Sequence, residues 1–185
     1  MVWSIDLIPE QNGRIALITG ANSGLGFDTA KALLEKNAIV ILGCRSLEKA
    51  EKARERLISQ TSYGTIELLE IDLADLVQVN QAADQVEQKY KKLDLLINNA
   101  GVMAPPRTFS KQGLELQFAV NHLGHMALTL KLLPLMVNQP GARVVTVSSG
   151  AQYMGKINWN DLQGLDTYDP WASYSQSKLA NVMFA

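Results

Sequence analysis

Tyr174 and Lys178 stand four residues apart in YSQSK, a separation that puts both side chains on one face of a helix. A free phenol has a pKa of about 10, too high for acid–base work near neutrality. A nearby ammonium favours the phenolate and brings that value down. Such a pair can pass a proton to a carbonyl oxygen as a hydride reaches the carbon. Of the five tyrosines, at 63, 90, 153, 168 and 174, Tyr174 alone has a lysine four residues on. Taken alone the pair is a weak signal, since a tyrosine and a lysine often share a helix face by chance.

The second chemical feature is TGANSGLG at Thr19–Gly26, with glycines at 20, 24 and 26. The usual dinucleotide fingerprint is G-x-G-x-x-G, and this spacing is different. Its context nevertheless fits: an apolar run precedes it and a helical pattern follows. Backbone N–H groups at that helix start lack partners and sit at the positive end of the dipole. A pyrophosphate can lie there if no Cβ blocks it, and Ser23 adds a hydroxyl. The plain alternative is a turn that only links strand to helix. Further on, the second apolar run ends in GCRS, with Arg45 19 positions after Gly26 and no acid before Glu48. An acid there would bond the 2′-hydroxyl of NAD, whereas an arginine accommodates the 2′-phosphate of NADP. NADP(H) is therefore favoured over NAD(H), the alternative being a solvated surface arginine.

These residues need elements to hold them. Strands are expected at Arg14–Thr19, Ala38–Leu42, Ile66–Ile71, Leu93–Ile97 and Arg143–Val147, as short apolar runs bounded by turn residues. Between them fall helical stripes: Ala30, Leu33 and Leu34; then Ala50, Ala53 and Leu57 behind an N-cap at Ser46; then Leu76 to Tyr90. One long helix is expected over Leu114–Met136. Gly150–Pro170 reads as an excursion loop, and a last helix starts near Trp171. Strands alternating with helices imply βαβ units, an α/β fold with a doubly wound parallel sheet of Rossmann type. Residues 1–13 form an N-terminal extension and 14–185 one domain. Five strands are counted where six are usual, and no stop signal follows Val182, Met183 and Phe184. C-terminal strands are accordingly expected to be missing.

Composition narrows the class. With 185 residues, 47% hydrophobic and 19% charged, the chain is globular rather than disordered. A net charge of −1 without a basic block gives no support for a nucleic-acid partner. The single cysteine, Cys44, cannot form an internal disulfide. Neither a signal peptide nor an integral membrane segment is read, so a cytoplasmic protein is expected. His122 and His125 are three apart and could touch a metal, but no third ligand is evident; packing histidines are expected and no metal site is assigned.

The order TGANSGLG, NNAG at Asn98–Gly101, Ser149, Tyr174 and Lys178 changes the weight of each part. Together they resemble the short-chain dehydrogenase/reductase family, whose glycine pattern is T-G-x-x-x-G-x-G. CRSLEKA, NHLGH and YSQSKLANVMFA are most similar to its retinol dehydrogenase-like branch. The resemblance covers nearly all of the chain from Arg14 and implies roles residue by residue. Tyr174 would be the general acid or base; Lys178 would lower its pKa and hold the nicotinamide ribose. Of the adjacent Ser148 and Ser149, which strand alternation sends to opposite sides, the resemblance favours Ser149 for the substrate oxygen. Asn121 would support a water relay to the lysine, with a helix-bending or core amide as the alternative. Asp72, with Leu73, would meet the adenine, unless Asp72 simply caps the next helix, a task open to Asp75. Asn99, Ala100 and Gly101 would line the adenosine ribose, while Asn98 ties strands together. Gly20, Asn22, Ser23, Gly24, Leu25, Gly26 and Arg45 would complete the cofactor set, with Tyr174 and Lys178 at its nicotinamide end.

Ser149 and Tyr174 are 25 positions apart, wider than in many family members and similar to the retinol dehydrogenase-like branch. Tyr153, Trp159 and Trp171 in that interval could line an apolar substrate pocket or pack on the sheet. The resemblance implies an NADP(H)-dependent oxidoreductase that interconverts a carbonyl and an alcohol on a lipophilic small molecule, with a homo-oligomer possible. Two other readings stay open: a non-catalytic dinucleotide-binding module, and a reductase of a tetrapyrrole C=C bond that would not need Ser149.

Overall fold

The structure is a computed structural model and describes residues 4–185. Five parallel strands form one sheet: β1 (Ile15–Thr19), β2 (Ile39–Cys44), β3 (Thr65–Glu70), β4 (Leu95–Asn98) and β5 (Arg143–Thr146), in the order β3-β2-β1-β4-β5. Between them run α1 (Gly24–Leu34), α2 (Leu47–Gln60) and α3 (Leu76–Lys89). After β4 come α4 (Leu116–Phe118) and α5 (Gly124–Leu132), and after β5 comes α6 (Pro170–Phe184). This is the doubly wound Rossmann-type order, and its switch point lies between β1 and β4.

β1 explains why the sheet needs helices on both sides. All five of its residues are buried, and their alternation divides them between two cores. Ile15 and Leu17 join Val79, Val86, Leu128 and Leu132 of α3 and α5. Ala16 and Ile18 join Phe27, Leu34, Ala53 and Leu57 of α1 and α2. Ser46 caps α2 by accepting from the Lys49 N–H, and Asp75 caps α3 through Val77. Cys44 is a free, buried thiol whose pKa is pushed up to about 11 by burial, so it packs as a small apolar group.

Three expectations change in detail. β4 starts at Leu95 rather than Leu93, because the Leu93 N–H bonds the Leu135 carbonyl and the Asp94 carboxylate turns to the Ile15 N–H at 2.9 Å. The long helix expected over Leu114–Met136 is broken: a π turn at Ala119–Leu123 separates α4 from α5, and a 3-10 turn at Leu133–Leu135 follows. Within the excursion, Gly150–Met154 winds into a 3-10 turn. Of the N-terminal extension, residues 1–3 lie outside the described residues; Gln11 is buried and its backbone N–H bonds the Lys36 carbonyl at 2.7 Å. Among the described residues no helix is long and apolar enough to cross a membrane.

Candidate active site

The carboxyl ends of β1 to β4 open on a cleft of about 420 Å³, the place where open α/β sheets bind ligands. At its floor the glycine loop turns from β1 into α1. Gly20 and Gly24 have φ of +66° and +54°, the left-handed region that favours glycine. A Cβ on Gly24 would meet nothing within 4 Å, so the helix start is open to a ligand. Gly26 faces inward instead, where a Cβ would sit 2.6 Å from Asn99 Nδ2 and from the Gly20 carbonyl oxygen. Its role is close packing of α1 on the loop. Ser23 is the N-cap of α1, yet its side chain makes no capping bond, unlike those of Ser46 and Asp75. That leaves its hydroxyl and the first N–H groups available for an anion.

Asn22, Leu25, Arg45, Asp72, Leu73, Ala100 and Gly101 line the cleft with Gly20, Ser23 and Asn99. Arg45 is exposed, and no carboxylate among the described residues lies within ion-pair distance of it. Asp72 Oδ1 accepts from the Ala74 N–H at 2.9 Å, while the helix cap belongs to Asp75. The Lys111 ammonium and the Gln112 amide beside Asp75 hold its carboxyl down at about 2. Asn99 also serves the scaffold: its Nδ2 donates to the Thr19 carbonyl at 2.9 Å. Asn98 Nδ2 reaches Thr129 Oγ1 at 2.9 Å and Thr146 Oγ1 at 3.4 Å, tying β4 to α5 and β5.

The other half of the site hangs on α6. Asp169 caps this helix by accepting from the Ala172 N–H at 2.7 Å, and Pro170 occupies its first turn. Tyr174 is half-buried, edge-on to Trp171 with ring centroids 6.1 Å apart. Lys178 is buried, with its Nζ 5.7 Å from the Tyr174 ring centroid and 3.2 Å from the Val147 carbonyl, to which it donates. Burial pushes its pKa down. The adjacent serines lie just past the end of β5 and make different bonds. Ser148 Oγ donates to the Lys178 carbonyl at 2.7 Å and so braces α6. Ser149 Oγ accepts a long 3.3 Å bond from Ala151 N–H, which leaves its own hydrogen free to donate.

Asn121 is fully buried in the π turn. Its Oδ1 accepts from Val102 N–H at 2.8 Å, and its Nδ2 donates to the Val102 carbonyl and to Ser177 Oγ, both at 2.9 Å. The side chain is thus a clasp between the turn after β4 and α6. Gly101 joins the two halves: a Cβ there would lie 3.2 Å from Asn121 Oδ1 and 3.5 Å from Lys178 Nζ. The cleft wall and the Tyr174–Lys178 helix therefore meet at one backbone position. Tyr174, Lys178, Ser149 and Asn121 stand beyond the cleft lining rather than within it.

Sequence reading missed several participants. Thr19, Gly43, Ile71, Val102, Leu116 and Val120 also line the cleft. Of these, Thr19 alone carried a signal, as the first letter of the glycine motif. Gln117 is fully buried, taking the Ala104 N–H at 2.8 Å and donating to the Pro170 carbonyl at 2.8 Å and Tyr168 Oη at 3.2 Å. With buried Glu115, which caps α4, it fastens the excursion to the turn after β4. Both histidines are held by protein groups: His122 Nδ1 lies 3.2 Å from Asn181 Oδ1, and His125 bonds through both ring nitrogens.

Comparison with known proteins agrees with this geometry. Residues 14–185 match the family described as short chain dehydrogenase. Mouse (Mus musculus) retinol dehydrogenase 14 is 43% identical over 183 residues, which cover 94% of this chain and 55% of that protein. A crystal structure of an uncharacterised protein from Mycobacterium paratuberculosis superposes with a TM-score of 0.87 at 44% identity, covering 99% of this chain and 64% of that one. A short chain dehydrogenase from Escherichia coli CFT073, complexed with NADPH, gives a TM-score of 0.73 at 26% identity, covering 96% and 70%. The chain thus spans little more than half the length of the curated relative. Sheet order, glycine loop and family match lead to one conclusion: this chain belongs to the short-chain dehydrogenase family of oxidoreductases.

Proposed function

We propose that the chain holds NADP(H) in the cleft and interconverts a carbonyl and an alcohol on a lipophilic small molecule beside Tyr174. One observation carries the reading: at Gly101 the cleft wall passes within a Cβ's contact of Asn121 Oδ1 and Lys178 Nζ, so the cofactor groove abuts the lysine of the proton-transfer pair. The cradle suits the cofactor. Open space at Gly24 and the uncommitted Ser23 hydroxyl fit a pyrophosphate. Exposed Arg45, without a carboxylate partner among the described residues, fits a 2′-phosphate. Asp72, Leu73, Asn99 and Ala100 are left to hold the adenosine end.

When bound, the dinucleotide supplies the hydride. The chain supplies position and a proton. Tyr174 donates from its phenol to the substrate oxygen, Lys178 places a positive charge beside that phenol, and the free Ser149 hydroxyl hydrogen holds the same oxygen. Trp171, 55% exposed, stands edge-on beside Tyr174, which supports an apolar substrate. The name of the mouse relative, a retinol dehydrogenase, points the same way.

The test is Tyr174→Phe. Reduction of a lipophilic aldehyde should fall about 10²- to 10⁴-fold, the usual worth of a positioned acid, while NADPH stays bound. Unchanged turnover would sink the mechanism. A binding module without turnover is the second reading, favoured by the place of Tyr174, Lys178 and Ser149 outside the cleft lining; it requires NADPH binding with no reduction by the unaltered chain.

A further inference from the structure

His125 lies on α5 beneath the cleft and is 1% exposed. Its two ring nitrogens meet different parts of the molecule. Nδ1 is 3.0 Å from the Asn121 backbone carbonyl oxygen. A carbonyl has no hydrogen to give, so Nδ1 carries the proton and donates. Nε2 is then bare and accepts from the Thr19 hydroxyl at 2.8 Å. Thr19 Oγ1 in turn accepts the N–H groups of Asn99 and Ala100, at 2.9 and 3.1 Å, which uses both its lone pairs. The Ile97 carbonyl, at 3.4 Å, is the weaker claimant on its hydrogen. Every bond in this chain runs the same way, from the NNAG turn through Thr19 and His125 to Asn121.

Each end of the chain touches a different half of the site. Thr19 directly precedes Gly20, and Thr19, Asn99 and Ala100 all line the cleft. Asn121 clasps Val102 and Ser177, one residue before Lys178. We propose that His125 is a positioning residue that couples the dinucleotide cleft to the Asn121–Lys178 face, and that the neutral imidazole with its proton on Nδ1 is the form that fits. The proposal rests on the reading of the cleft as an NADP(H) site. A second ring proton would point an N–H at Thr19 Oγ1, whose lone pairs are already taken. Burial above all pushes the His125 pKa down to about 4, and the Lys178 ammonium on α6 and, once protonated, His122 in the π turn add to that shift.

Two variants each keep half of the imidazole. His125→Asn places an amide nitrogen near the Nδ1 position and keeps the bond to Asn121; His125→Gln places an amide oxygen near Nε2 and keeps the bond from Thr19. With NADPH and nonanal as probes, the Asn variant should weaken NADPH binding about tenfold with kcat nearly kept. The Gln variant should lower kcat about tenfold with the NADPH Kd within about twofold. Equal losses of both quantities in both variants, or no loss in either, would overturn the coupling. Should the variants fail to fold, nitrogen NMR of the unaltered chain decides. The His125 ring should be protonated on Nδ1 at pH 7, and its nitrogen resonances should move as NADPH saturates the protein. A proton on Nε2, or resonances that stay fixed at saturation, would refute the coupling. No NADPH binding by the unaltered chain would remove the cleft reading itself and this proposal with it, and that outcome is visible before any substitution is made.

Discussion

β1 buries five residues, four of them apolar, whereas α6 buries six, of which Ser175, Gln176, Ser177, Lys178 and Asn181 are polar. The glycine loop therefore rides on two apolar cores, and Tyr174 and Lys178 ride on hydrogen bonds from Asn121, Ser148 and Asn181. Apolar contacts are non-directional and fix the place of an element. Buried polar contacts fix the direction of each group and are costly when half-satisfied. On the proposed reading, the cofactor end asks for a shaped groove and the proton-transfer end asks for aimed atoms.

The sharpest way to break this division is to weaken each side by its own physics. Leu17→Ala, at a fully buried site, should cost about 3–5 kcal/mol of stability. At temperatures where the variant is folded, the Tyr174 end should keep its turnover. A loss of kcat as large as the loss of stability would show that the two sides are not separately held.

Acid should act next, through His125. Burial lowers its folded pKa to about 4 from an ordinary 6.5, so between these values the unfolded chain binds the extra proton. Stability is then full above pH 6.5, falls as pH drops toward 4 and levels off below it. The total is about 3 kcal/mol. Urea midpoints at pH 7.5 and 4.5 measure most of it, and His125→Phe should flatten the slope in that window. Asp75, held near 2, loses its contribution only at lower pH.

The smallest effect falls on the excursion. Gln117→Ala removes bonds to Ala104, Pro170 and Tyr168 and should cost about 1–3 kcal/mol. It should raise KM for the carbonyl substrate and leave NADPH affinity unchanged. An equal rise in the NADPH Kd would place Gln117 on the cofactor side instead.

The same division explains what the sequence made legible. β1 and β2 read directly, because a strand buried on both faces is an apolar run, and the glycine loop reads from its position between strand and helix. The π turn at Ala119–Leu123 does not read, since Leu114–Met136 has an unbroken helical pattern. The groups bonded there, Val102 and Ser177, are distant in the chain. Gln117 and Glu115 look like ordinary polar helix residues for the same reason. Ser148 and Ser149 lie past the end of β5, and which of them braces α6 depends on where the Lys178 carbonyl lies.

The central claim is that the cleft at the ends of β1 to β4 is an NADP(H) site read by Arg45. Titrating the unaltered chain and Arg45→Ala with NADPH and with NADH tests it most directly. NADPH should bind the unaltered chain about ten- to a hundredfold more tightly than NADH, the worth of charge-assisted bonds to one phosphate, and Arg45→Ala should erase the difference. Equal affinities before the substitution, or a preference that survives it, would contradict the claim.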